Sequence, residues 1–426
     1  MKSRMRGFSF RHFLLWDNYL HFVSFVLLLF PPPTRSMKVA ILEEKVWRPL
    51  AVRHSQRVWD MLRPGLVTDS SSNSRLDELH PVYNFLVEYY GFKGSKGCRR
   101  ITRWSPPVMQ TLMRSSNNNS SEFIDTKFSP MIVEAQNDGM FLLGNDGVLL
   151  ENAKERDTVD LIHMRGARFV SIEPSASSKR GPRPISGALY SPSFHYRSKD
   201  AVLPLVEDGF PPASSSTSTE QSLRSALEYF KSILMATIDA EPILFCHGLH
   251  EWAMQYRPEG YPPPPSSKYQ SHLPFRVDQH TINAAVERRG VYCTHVDALR
   301  YFAPAAKSWN QFGEYGTNLS RKDQITLEQP ACVHANMDLL KYAVRLSPWI
   351  DGDIVGDALD VALKARSLDI ASSPYDVSSY GLNPIPIETS EGRKRYRELQ
   401  ARLLLIAQPL RQRILDAYND FFHPIS

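Results

Sequence analysis

The stretch PACVHANMDLLKYAVRL, residues 330–346, restricts the fold more than any other part of the chain. On a helix with 100° per residue, His334, Asp338, Lys341 and Arg345 fall within about 60° of arc. Val333, Met337, Leu340 and Val344 line one side of this polar seam, and Ala335, Leu339, Tyr342 and Leu346 line the other. The remaining face, Cys332, Asn336 and Ala343, is small. A surface helix has one apolar stripe and a wide polar face; this one has a thin polar seam on an apolar cylinder. Such a helix must be enclosed by other elements, so the chain is expected to build a multi-helix core around it. The predicted fold is α+β and predominantly α-helical, one large helical domain with a small β-sheet.

Other periodic segments agree with that expectation. Residues 37–63 read as one helix and HPVYNFLVEYY, 80–90, as a second with an aromatic face. SLRSALEYFKSILMATI, from Ser222, is amphipathic. The C-terminal TSEGRKRYRELQARLLLIAQPLRQRILDAYNDFF reads as a long helix, with Thr389 or Ser390 as N-cap and Pro409 as a kink or break. PMIVEAQNDGMFLLGNDGVLLE, with two Asn-Asp-Gly turns, reads as β structure.

Polar or proline-rich tracts near 68–74, 114–122, 174–184, 211–220 and 260–267 cannot bury enough apolar surface to order themselves. They are expected as surface insertions in a single globular domain spanning 37–426. Residues 1–36 join a basic start, an apolar run shorter than the ~20 residues of a membrane helix, and three prolines. They read as a targeting segment or an upstream extension before Met37. No integral membrane domain is expected. The expected location is intracellular, or an organelle if residues 1–36 are a genuine transit or signal segment.

With 50 basic and 45 acidic residues, the net charge of +5 permits an anionic partner without demanding one. Cys98, Cys246, Cys293 and Cys332 form no CxxC pair, which excludes a zinc-ribbon spacing and a disulfide framework. Neither a phosphate-binding loop nor a dinucleotide fingerprint occurs, so no nucleotide cofactor is expected.

Three segments carry a histidine, a carboxylate and a neighbouring cysteine out of apolar surroundings. In the helix of 330–346, His334 and Asp338 lie one turn apart and point the same way, suiting two ligands of one metal or a general base with its orienting acid. Lys341 and Arg345 read as ordinary solvated residues. In EPILFCHGLHEWAMQYR, 241–257, PILFC reads as a short buried strand, Gly248 as a turn, and LHEWAMQYR as a helix. His250 and Glu251 emerge there, but Met254 stands where a zinc-protease helix needs its second histidine. Without a ligand, Glu251 would pair with Arg257. In YCTHVDALRYFAP, 292–304, Thr294 and Asp297 resemble a capping box that would place His295 in the first helical turn, where a neutral imidazole is favoured. Convergence of these segments would form a site for one transition metal, with His250, Glu251, His295, His334 and Asp338 as candidate ligands. Cysteine ligands would favour zinc, and histidine with carboxylate alone would favour iron or manganese.

Lys93, Lys96, Arg99, Arg100 and Arg103, interleaved with glycine and Trp104, have a composition suited to phosphate contact and base stacking.

The segments HPVYNFLVEYYGFK, RRITRWSPP, GLHEWAMQYR, CTHVDALRYF, LEQPACVHANMDLLKYA and LDIASSPYDVSSYGLNPIPIETSEGR together resemble a mostly bacterial family named 3-methyladenine DNA glycosylase. The resemblance covers most of residues 40–415 and implies hydrolytic release of an alkylated purine from DNA. That chemistry needs a flipped nucleotide in an aromatic pocket and a carboxylate to activate water or stabilise an oxocarbenium-like state. The aromatics on offer are Tyr83, Phe85, Tyr89, Tyr90 and Trp104. The catalytic candidates are Glu251, His334, Asp338 and Asp376. The alternative expectation is a metal-dependent enzyme, using Fe, Mn or Zn, that acts on a small molecule.

Overall fold

The computed structural model describes residues 40–42, 44–68, 74–92, 98, 101–102, 104–105, 110–113, 131–135, 142–143, 162–163, 167–173, 185–190, 218–262, 270, 272–312, 319, 321–347 and 349–422. Residues 1–36, Lys93, Lys96, Arg99, Arg100, Arg103 and the tracts 114–122 and 174–184 lie outside them. The other tracts are described in part.

The architecture is α+β and mainly helical, as expected. The helices are α1 (Glu44–Leu62), α2 (Asn84–Glu88), α3 (Ser218–Asp239), α4 (Leu249–Met254), α5 (Gln279–Glu287), α6 (Val296–Leu299), α7 (Arg321–Leu327), α8 (Val333–Leu346), α9 (Gly352–Ala371) and α10 (Ser390–Phe422). A two-stranded antiparallel ribbon pairs Leu66–Thr68 with Ser74–Leu76. A five-stranded sheet runs in the order Ala40–Leu42, Gln110–Met113, Ile185–Tyr190, Ala167–Glu173, Met131–Ala135. Its first pair is parallel and the others antiparallel, with Val170 opposite Gly187.

The apolar cylinder of residues 333–346 becomes the central helix α8. It packs along α9 and also against α10 and α3, while α9 in turn touches α10 and α1. Both flanks of the seam are buried, Leu339, Leu340 and Leu346 completely. The small face receives Arg411 of α10, whose Nη2 donates to Asn336 Oδ1 at 2.6 Å. One hydrophobic core runs from Val58 to Phe422. A small satellite of Leu273, Ile370, Tyr375 and Val377 lies at the end of α9.

Local chemistry sets the helix starts. Asp278 caps α5 through Thr281 N at 2.7 Å, Asp351 caps α9 through Asp353 N at 2.9 Å, and Thr389 accepts from Gly392 N at 3.0 Å at the head of α10. Several expectations are corrected. The helix α10 runs without a break through Pro409, since a proline costs one intrahelical bond and the surrounding core holds the rest. The 80–90 helix is only the five residues of α2. Residues 242–246 are not a strand, and Phe245 is 47% exposed. At 292–304 no capping box forms: α6 starts after His295, which occupies the N-cap position without a side-chain bond, and Asp297 pairs with Arg300 at 2.7 Å.

Candidate metal centre

Five segments deliver the site. The first is α4, aimed by a tight turn in which His247 (φ 51) and Gly248 (φ 65) both adopt left-handed backbone. A Cβ at Gly248 would lie 2.6 Å from Ser372 Oγ, so both conformation and space require glycine there. Trp252 locks α4 in place: it is fully buried, its Nε1 donates to the Ser372 carbonyl at 2.8 Å, and the Arg276 guanidinium lies 5.3 Å above its ring. His250 and Glu251 thereby face α9.

On α9, Arg366 and Asp369 are one turn apart on otherwise apolar surface. Arg366 Nη1 contacts Glu251 Oε1 at 2.7 Å and Asp369 Oδ2 at 2.6 Å, while its Nε donates to the Pro81 carbonyl at 3.1 Å. His250 Nε2 lies 2.7 Å from Asp369 Oδ1. His334, at the start of α8, brings its ring to a centroid distance of 4.3 Å from His250 and stacks on His295 at 5.0 Å with 11° between planes. His295 Nδ1 faces Glu328 Oε2 at 3.4 Å just beyond α7.

The donors sort into two groups, His250 with His334 and Asp369, and His295 with Glu328 and Asp338, each with ligand atoms within 4.8 Å of one another. This corrects the expected single set. His334 and Asp338 share a helix face but belong to different groups. Glu251 is held by Arg366 instead of joining either group, and it pairs neither with Arg257 nor with a ligand cluster. Asp369, Glu328 and Arg366 were not among the sequence candidates.

Several polar atoms at this centre are buried without a hydrogen-bond partner among the described residues: His250 Nε2, Glu251 Oε2, His295 Nδ1, His334 Nδ1 and Asp369 Oδ1. Of these, His250 Nε2 and Asp369 Oδ1 face each other as an ion pair at 2.7 Å. Burial with its neighbours His250 and His295 holds His334 well below the ordinary imidazole range, keeping it neutral and a competent donor. Burial would raise Asp369, but His250 and Arg366 outweigh it and hold the carboxyl below its usual range. For His295 burial acts downward and the Glu328 carboxylate overrides it, so the net shift is upward.

A cavity of about 290 Å³ opens beside the centre, lined by Glu251, His295, His334, Asp338, Lys341 and Arg366 on its polar side. Phe85, Tyr89, Tyr90 and Tyr301 form its aromatic wall, fixed in part by the Tyr90 hydroxyl donating to the Met337 carbonyl at 2.8 Å. Of the other aromatic candidates, Tyr83 packs over Gly65 and donates to the Met61 carbonyl. Trp104 is buried against Gly352, which corrects its assignment as a base-stacking residue. Asp376 also falls outside the cavity lining: it accepts from Ser378 N and Oγ in a local turn. Lys341 binds Asp338 at 2.9 Å, whereas Arg345 is exposed, as expected of a solvated end of the seam.

Behind the histidines, Cys246, Cys293 and Cys332 line a void of about 10 Å³, room for one water molecule. Burial raises all three thiols, Cys293 to about 12, and none joins a ligand group among the described residues.

The turn before α4 supplies a pH test. Burial, aided by Arg397, Arg393 and Arg289, lowers the His247 pKa from 6.5 to about 4. Between these values the unfolded state binds more protons than the folded one, so stability is complete above pH 6.5 and falls as pH drops toward 4. His247→Asn tolerates left-handed backbone and removes the titration. Its melting temperature should therefore decline less than the wild type's over that window; parallel curves would refute the assignment.

Among the described residues, no helix is long and apolar enough to cross a membrane. Comparison with family models, curated proteins and solved structures finds no match for the chain.

Proposed function

We propose that this protein is a metal-dependent enzyme acting on a small molecule, with the ion held by His250, His334 and Asp369. The observation that carries this reading is the convergence of His250, His334 and Asp369, whose ligand atoms lie within 4.8 Å of one another, with His250 Nε2 only 2.7 Å from Asp369 Oδ1 and His334 Nδ1 buried without a hydrogen-bond partner among the described residues. A buried ion-pair network serving stability alone would satisfy His334 Nδ1 as well. Donors converging on a common cation leave such an atom unpaired. Two imidazoles with one carboxylate are a donor set shared by non-haem iron and catalytic zinc sites, so the ion we assign is iron, manganese or zinc.

The cavity of about 290 Å³ is near the small end of small-molecule sites. A bound ion would supply Lewis-acid polarisation or an activated water. The protein's own contribution is positional: Arg366 fixes Glu251 and Asp369, and Glu251, a lining residue of the cavity, keeps Oε2 without a hydrogen-bond partner among the described residues, the carboxylate we assign as proton acceptor.

Elemental analysis of purified protein should find a stoichiometric transition metal that His250→Ala and Asp369→Asn both lose. Wild-type protein that takes up no divalent ion on reconstitution would end this reading. A second reading, release of an alkylated purine from DNA, is supported by the aromatic wall of Phe85, Tyr89 and Tyr90 beside Asp338. It requires free 3-methyladenine to appear from methylated DNA and to disappear with Asp338→Asn.

A further inference from the structure

We infer that the centre holds two divalent ions, the second bound by His295, Glu328 and Asp338. This inference rests on the first ion being bound as proposed above. The second donor set joins the N-cap residue of α6, the link between α7 and α8, and α8 itself, and its residues are 3%, 2% and 8% exposed. Its imidazole is held loosely: His295 Nδ1 faces Glu328 Oε2 at 3.4 Å, a long contact that fails the geometry of a strong hydrogen bond.

The carboxylates of this set are braced from behind, as metal-ligating carboxylates are. Gln324 Nε2 donates to Glu328 Oε2 at 2.7 Å, and Tyr229 in turn donates to Gln324 Oε1 at 3.1 Å. Lys341 Nζ donates to Asp338 Oδ2 at 2.9 Å, and the Tyr342 hydroxyl approaches the same oxygen at 3.4 Å.

The two sets are side by side. Helix α8 contributes one residue to each, His334 and Asp338, a single turn apart on one face. The His295 ring lies flat against His334 with centroids 5.0 Å apart. Paired ions at such a centre clamp the attacking and leaving oxygens of a displacement.

Charge then indicates the substrate class. Glu251, Glu328, Asp338 and Asp369 are buried carboxylates, and Arg366 and Lys341 are the cations bound to them. One divalent ion balances these groups and a second makes the centre positive, a state suited to an anionic substrate carrying a carboxylate or phosphate.

Manganese(II) titration of the full chain, read by elemental analysis and electron paramagnetic resonance, tests the pair without requiring a substrate. Two equivalents per chain and an exchange-coupled spectrum are expected, with Glu328→Gln leaving one equivalent and an uncoupled spectrum. One equivalent in the wild type, retained by Glu328→Gln, would overturn the second site and leave the first intact. Two equivalents without coupling, or two that survive Glu328→Gln, would also overturn it. No bound manganese would remove both sites together. Should Glu328→Gln fail to fold, the wild-type stoichiometry and coupling decide the matter alone.

Discussion

Replacing Arg366 with methionine is expected to cost about 3–5 kcal/mol of folding stability, the range for removing one partner of a buried ion pair. A single guanidinium nitrogen serves both Glu251 and Asp369, and Nε serves the Pro81 carbonyl, so in the metal-free protein the substitution strands Glu251 and a backbone oxygen and leaves Asp369 with His250 alone. Methionine fills similar volume, which separates the charge effect from a cavity effect. The urea midpoint should fall with an unchanged slope. Stranded carboxylates have folded-state pKa values above their unfolded ones, so the deficit of the variant should shrink as pH falls through the carboxylate range. Glu251→Gln combined with Asp369→Asn should restore part of the loss by removing the uncompensated charge. A deficit under about 1 kcal/mol, or one indifferent to pH, would show that Arg366 is not the keystone of this network.

Trp252→Ala is expected to lose a comparable 3–5 kcal/mol through the cavity it leaves. It also leaves the Ser372 carbonyl without its donor and removes the ring beneath Arg276, which itself grips Glu388 through two contacts of 2.7 and 2.9 Å. Because Trp252 fixes α4, the same change should loosen His250 and Glu251 and weaken metal binding. Trp252→Phe keeps most of the volume and loses mainly the hydrogen bond, worth about 1 kcal/mol. Urea denaturation paired with manganese titration separates the two variants. Equal losses in both would place the importance of Trp252 in its hydrogen bond and not in its packing.

The burial of α8 was legible because it depends on periodicity, a property of neighbouring residues. Apolar side chains on both flanks of a narrow polar seam leave no face suited to water, and α8 became the centre of the fold. The gathering of His250, His295 and His334 was legible for a related reason, since each comes out of apolar sequence and a buried imidazole needs a partner. The glycine at 248 was legible as a turn for its backbone freedom.

The ligand sets were not legible. Arg366 and Asp369 look like ordinary polar positions of a long helix, and the Glu251 that Arg366 binds is 115 residues away in sequence. Glu328 lies in the short link between α7 and α8, where a carboxylate reads as solvated. Thr294 and Asp297 have capping-box spacing, yet the helix begins one residue later and leaves His295 facing Glu328. Trp104 follows a basic stretch of sequence and reads as a stacking platform until α9 closes over it at Gly352.

The sequence by itself determined that the 330–346 helix is enclosed and that three histidines leave apolar surroundings together, because local patterning governs which faces avoid water. Only the tertiary structure decided which carboxylate meets which imidazole. Those pairings are set by how α4, α8 and α9 cross, and residues from separate elements become neighbours only when the core between them has packed.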